Sequence, residues 1–108
     1  MTLHRSVVRL GAAALLAACA SSHPTNARYP ALPEGCPVRV FEEAPGVPTE
    51  NLGTVRERCA TDVSREDCLR GLKDQACRLG ADVVWGVADA PRVIGDKNEW
   101  DGRAAHTK

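Results

Sequence analysis

Apolar and polar positions along the chain fall into successive patterns, and each predicts a different element. Residues 37–41 (PVRVF) alternate and are rich in β-formers, which predicts a strand. Residues 42–49 (EEAPGVPT) carry Pro45, Gly46 and Pro48 and predict a loop rather than a two-residue turn. Residues 51–59 (NLGTVRERC) predict a second strand, with Gly53 as a candidate bulge. Ser64-Arg65-Glu66-Asp67 resembles a capping box, with a serine oxygen for a free amide and acids in the first helical turn. Leu69, Leu72, Ala76 and Leu79 then recur at steps of three and four, the stripe of a helix lying on a core, and Gly80 is its natural terminator. Residues 81–88 (ADVVWGVA) are apolar on both faces and predict a central strand. Residues 90–97 read as a polar loop, and residues 99–106 (EWDGRAAH) as a closing strand. The order β-β-α-β-β predicts an α+β domain over residues 36–108, one helix on a small antiparallel-rich sheet, with a frayed C-terminus.

The first 35 residues follow neither period. Residues 1–9 form a short basic stretch with His4, Arg5 and Arg9, and Leu10–Ala18 is an uncharged apolar run of nine residues. A membrane-spanning helix needs about 20. The run therefore predicts the apolar core of a signal peptide that spans residues 1–18. It ends in Leu16-Ala17-Ala18-Cys19, which resembles the bacterial lipobox. That resemblance implies a diacylglycerol on the Cys19 thiol, cleavage before Cys19 and acylation, usually by palmitate, of its amine. The next residues, Ala20 and Ser21, carry no acid. By likeness to enteric sorting rules this implies the outer membrane, with the domain in the periplasm. Residues 19–35 hold Pro24, Pro30 and Pro33 and predict an extended linker whose tail, with Arg28 and Tyr29, is a solvated spacer.

Charge narrows the partners. The whole chain balances 14 basic against 14 acidic residues; loss of Arg5 and Arg9 with the signal leaves 12 against 14. Nucleic-acid binders carry a marked basic excess, so no nucleic-acid partner is expected. The expected contacts are the membrane, through acyl chains, and an envelope protein.

Cysteine arithmetic adds a staple. With Cys19 assigned to lipid, Cys36, Cys59, Cys68 and Cys77 remain, an even set that suits an oxidising periplasm. Cys68 and Cys77 are nine residues apart on one helix, about 13.5 Å of rise, beyond disulfide reach. That excludes Cys68–Cys77 and with it Cys36–Cys59. Cys59–Cys68 with Cys36–Cys77 is the preferred pairing; Cys36–Cys68 with Cys59–Cys77 stays open. The spacings lack the close pairs of structural zinc sites, and no metal or other cofactor is expected.

A resemblance then emerges from four runs: Val38-Arg39-Val40-Phe41, Leu52-Gly53-Thr54-Val55 with Cys59, Leu72-Lys73-Asp74-Gln75-Ala76, and Leu79-Gly80-Ala81-Asp82-Val83-Val84. Together they resemble the C-terminal domain of the RcsF family, outer-membrane lipoproteins that sense envelope stress. Trp100-Asp101-Gly102-Arg103-Ala104 resembles the closing strand of that wider group. The likeness spans about residues 36–105 and rests on packing motifs. Only Cys59 falls where that family places a disulfide cysteine, so the resemblance implies architecture and membrane address rather than the pathway.

Catalytic chemistry is poorly supplied. After residue 23, Ser64 is the only serine and His106 the only histidine; the first is expected as a cap and the second lies near the terminus. Glu42-Glu43 and Glu66-Asp67 read as solvated or capping acids. Residues 96–101 (DKNEWD) begin like a calcium loop, but Trp100 takes a ligand position. Trp85 is expected in the core opposite the helix leucines. Trp100, set among charges, reads as edge packing or as a partner-binding ring, and with Arg103 it marks the expected partner surface. The expected function is a non-catalytic sensor or adaptor that binds an envelope protein; the alternative is a ligand- or metal-binding periplasmic lipoprotein.

Overall fold

The computed structural model describes residues 28–108. The signal segment 1–18, Cys19 and the linker up to residue 27 lie outside the described residues. The chain is α+β, with element order β1 (Arg39–Val40), β2 (Thr49–Ala60), α1 (Arg65–Arg78), β3 (Val83–Trp85), β4 (Arg92–Ile94) and β5 (Lys97–Thr107). The sheet order is β1-β3-β5-β2, and β4 also pairs with β5. The β1–β3 pair is parallel and the other pairs are antiparallel.

The sequence explains most of this locally. Ser64 Oγ accepts from the Asp67 N–H at 3.1 Å, satisfying one amide that the first helical turn leaves free. Glu66 and Asp67 sit where the helix dipole favours negative charge. Gly80 ends the helix at φ +82°, and a Cβ there would also strike the Tyr29 carbonyl oxygen. Two constraints therefore demand glycine at one position. In β2 the register with β5 shifts between Asn51 and Gly53, which places the expected bulge.

The helix covers one face of the sheet. Leu69, Leu72 and Ala76 from α1 pack with Val55, Val84, Trp100 and Ala104 from the strands. Two disulfides close this core. Cys36–Cys77 joins the segment before β1 to the end of α1, with Cα atoms 6.0 Å apart. Cys59–Cys68 joins β2 to the start of α1, at 5.9 Å. This is the pairing preferred on sequence grounds.

Three expectations need correction. Residues 90–97 are not an open loop: Arg92–Ile94 and the start of β5 form a hairpin in which Ile94 pairs with Lys97. Gly95 takes φ +61° as the first of the two loop residues, the backbone a primed turn requires. Residues 28–35 are not a solvated spacer but dock on the domain. Arg28 pairs with Glu50 at 2.9 Å, and the Tyr29 ring stacks on His106 at 4.2 Å. The Leu32 N–H donates to the Cys77 carbonyl at 2.8 Å, and Gly35 N–H to Asp74 at 3.0 Å. The C-terminus is also tied rather than frayed, since β5 runs to Thr107 and the Lys108 N–H donates to the Pro48 carbonyl.

Asp82 secures that end. Its Oδ1 accepts from the Thr107 N–H at 2.9 Å and its Oδ2 from the Thr107 hydroxyl at 2.5 Å. Burial pushes the carboxyl up, but the Thr107 bonds and the nearby His106 outweigh burial and hold it below its ordinary 3.8. The unfolded chain therefore binds this proton more readily, and the stability Asp82 contributes is lost as pH falls through the ordinary carboxylate range and below. Thermal melts between about pH 6 and 2 should show falling Tm, with a shallower slope in Asp82→Asn. An identical slope in the two proteins would remove Asp82 from the acid transition.

Candidate partner-binding surface

Alternation along β5 decides which side chains are available to a partner. Residues Trp100, Gly102 and Ala104 face the helix, while Glu99, Asp101 and Arg103 face the opposite side. Trp100 is 4% exposed and belongs to the core, with the Arg65 guanidinium 5.2 Å from its ring centroid. Of the two readings of Trp100, edge packing or a partner-binding ring, the second is thus corrected: its charged sequence neighbours point the other way. Arg103 is exposed, as expected, and its guanidinium lies 5.1 Å from the Trp85 ring centroid. Trp85 is in turn half-buried on the helix-free face, not opposite the helix leucines, and donates from Nε1 to Asn51 Oδ1 at 3.3 Å. Trp100 thus holds the core position expected of Trp85.

The helix-free face continues into a charge cluster that sequence inspection missed. Glu99, with a side chain only 2% exposed, accepts from Arg58 Nε at 2.6 Å and from Arg92 Nη1 at 3.4 Å. Arg56 Nε lies 3.8 Å from the same carboxylate, and Arg92 also approaches Asp101 at 3.9 Å. The Arg58 hydrogen bond, against the cost of burial and helped by the charges of Arg58, Arg56 and Arg92, holds the Glu99 carboxyl below its ordinary value. The signal was present in the register: Arg58 and Arg92 flank Glu99 on neighbouring strands. A concavity of about 200 Å³ beside β4 borders this cluster, but Glu99 is already neutralised by its arginines. The arrangement locks β4 and β2 to β5; it does not present a reactive acid.

The groups expected to be poor catalysts are engaged structurally. Ser64 is the helix cap, while His106 stacks on Tyr29 and places Nδ1 2.6 Å from the Thr107 carbonyl oxygen. Cys36, Cys59, Cys68 and Cys77 are all disulfide-bonded and offer no thiolate to a metal or substrate. Among the described residues no group of three His, Cys, Asp or Glu side chains converges on one point.

The two edges of the main sheet differ. At the β2 edge, Gln75 of α1 pairs with the Arg56 backbone as a strand would, its Oε1 accepting from Arg56 N–H at 3.0 Å and its Nε2 donating to the Arg56 carbonyl at 2.5 Å. That plug blocks extension of the sheet there. At the β1 edge, the Arg39 N–H donates to the carbonyl of Asp82, just before β3, at 3.1 Å, and the Phe41 N–H to that of Val84 in β3, at 2.8 Å. Val38 and Val40, the alternate residues, therefore turn their backbone groups outward and have no backbone partner among the described residues. A groove of about 700 Å³ runs between this edge and one side of α1.

Comparison with known proteins adds little to this geometry. No family model and no curated protein matches the chain. A crystal structure of a protein of unknown function from Pediococcus pentosaceus, of the DUF74 family, is similar with a TM-score of 0.48 and 14% identity. That similarity covers 66% of this chain and 98% of the other.

Proposed function

We propose that the protein is a non-catalytic lipoprotein of the bacterial envelope, held to the outer membrane by acyl chains on Cys19, whose periplasmic domain binds a protein partner. The observation that carries this reading is the pair of disulfides, Cys36–Cys77 and Cys59–Cys68, closing a small core directly downstream of a lipobox-like segment. Structural disulfides belong to oxidising compartments, and small extracytoplasmic domains depend on them. The engagement of Ser64, His106 and Glu99 in caps, stacking and ion pairs supports a binding role over catalysis. The resemblance of the sequence to the RcsF family agrees with this address. Among the described residues no helix is long and apolar enough to cross a membrane; acyl chains on Cys19 would supply the attachment.

Metabolic labelling with palmitate in a Gram-negative host tests the address. The native chain is expected to incorporate label and fractionate with the outer membrane, whereas Cys19→Ser should be unlabelled and remain at precursor size. A correctly processed Cys19→Ser protein in the outer-membrane fraction would overturn the reading. Partner binding is tested by cross-linking the acylated protein in intact cells, where a specific protein adduct lost on disulfide reduction is expected.

A further inference from the structure

We propose that the groove between β1 and α1 binds an acidic peptide segment of the partner protein in extended form, adding it as a strand to the β1 edge. This rests on the partner-binding reading above and names its mode.

Geometry supplies the first argument. The groove is bordered on one side by residues 38–41 and on the other by residues 65–73. Four extended residues span roughly 10 Å, and eight helical steps roughly 12 Å, so the two walls match in length. A peptide of about four to six residues fits along both. The outward N–H and C=O groups of Val38 and Val40 offer the hydrogen bonds by which an added strand is held. The contrast with β2 sharpens the point. Gln75 occupies the equivalent backbone groups at Arg56, while nothing among the described residues does so at Val38 and Val40.

Charge selects the occupant. The helical wall carries Arg65, Arg70 and Lys73 against one acid, Glu66. Arg70 meets Asp67 at 3.1 Å, but its side chain is 72% exposed, which leaves its remaining donors accessible. Lys73 forms no ion pair among the described residues. The floor is made by the edges of Val38, Val40 and Leu69, and Val38 and Leu69 are mostly committed to the core. Recognition therefore rests on backbone pairing and charge more than on deep apolar pockets.

The test uses the full-length oxidised chain in detergent and a fluorescent peptide, acetyl-Glu-Val-Asp-Val-Glu-Val-amide, followed by anisotropy and amide chemical shifts. Binding is expected with shifts confined to residues 38–41 and 65–73, and the peptide with lysine at every acidic position should bind at least about tenfold more weakly. Val40→Pro removes an outward N–H that the sheet does not use, a substitution that edge strands tolerate. It should weaken binding about tenfold or more while the domain stays folded, with a modest fall in Tm because the Val40 side chain packs against the core. N-methylation of alternate peptide amides tests the same bonds without altering the protein and should weaken binding equally. Lys73→Glu should weaken the acidic peptide and strengthen its lysine counterpart.

Equal affinity for the N-methylated peptide or no binding at all would overturn strand addition, and equal affinity for both charge forms would overturn the acidic occupant. A dimer in sedimentation that Val40→Pro abolishes, or tighter binding of a peptide matching residues 20–27, would overturn it as well, since the occupant would then be a second copy or the chain's own linker. If the peptide fails while cross-linking still captures a partner, only the groove is lost. If Cys19 is not acylated and no adduct forms, the partner-binding reading fails whatever the peptide does.

Discussion

Replacing both Cys36 and Cys77 with alanine is expected to leave the domain largely unfolded, whereas the same change at Cys59 and Cys68 should leave a folded domain with a lower Tm. The difference follows from loop length. The first bridge closes a separation of 41 residues and the second a separation of nine. In the chain-entropy model these constrain the unfolded state by about 4 and about 2.7 kcal/mol respectively. A domain of roughly 80 residues has a total stability of about 4–12 kcal/mol. Loss of the long bridge thus removes a third or more of the total. It also releases the segment before β1 from the end of α1, where Cys77 is completely buried. The segment that docks through Leu32 on the Cys77 carbonyl would lose its support as well. The short bridge ties elements that Gln75 also joins, through Arg56, so its loss is buffered. At roughly 4–8 °C per kcal/mol, its removal should lower Tm by about 10–20 °C. Circular-dichroism melts of the two double variants check this, and a reversed order of stability, or an unchanged Tm in reductant, would refute it.

The fold was legible where local chemistry and period agreed. Ser64, the leucine stripe and Gly80 each mark α1 by an independent mechanism, so its ends and its buried face were both readable. The disulfides were readable in part: helical geometry excludes Cys68–Cys77 but leaves two pairings, and the observed one was preferred because Cys59–Cys68 closes the short loop between strand and helix. The β4 hairpin was readable in principle: Val93-Ile94 and Asn98 flank Gly95-Asp96, a dipeptide that suits a primed turn, but the surrounding charges resembled a loop. Trp100 illustrates a different difficulty. Glu99, Asp101 and Arg103 surround it in sequence, yet in a strand immediate neighbours occupy the other face, so sequence proximity to charge argued for burial rather than exposure. Trp85 was not resolvable in the same way, because a strand apolar on both sides does not declare which side the helix covers. Residues 28–35 were illegible for a further reason. They dock by scattered backbone bonds and one ring stack, which leave no periodic trace. The β1–α1 groove depends on which strand ends at the sheet edge, a property of topology that β1 and α1 do not separately encode.

Leu72→Asp is expected to abolish the folded state outright, while Arg70→Asp should be nearly silent in stability. Leu72 is completely buried and sits in the middle of the helix face that packs on the sheet. The substitution forfeits about 2–3 kcal/mol of apolar burial. It also places a carboxylate within the apolar cluster that holds Leu69, Ala76 and Val55. Whether that acid stays charged or takes up a proton, the penalty is several kcal/mol more. The sum matches or exceeds the stability of a domain this small. Arg70, two residues away, points outward with its side chain 72% exposed and loses only the Asp67 pair. Exposed pairs of this kind contribute about 0–1 kcal/mol. The two disulfides complicate a simple readout, since they would hold an unfolded chain compact. In a Trp85→Phe background, where Trp100 is the remaining tryptophan, fluorescence separates the cases, because the Trp100 ring is buried in the core between α1 and the sheet. In Leu72→Asp the emission should shift red and the thermal transition vanish. In Arg70→Asp both should remain as in the native chain. Comparable losses in the two variants would mean that α1 does not bury the face that carries Leu72, and the core described above would have to be rebuilt around a different helical phase.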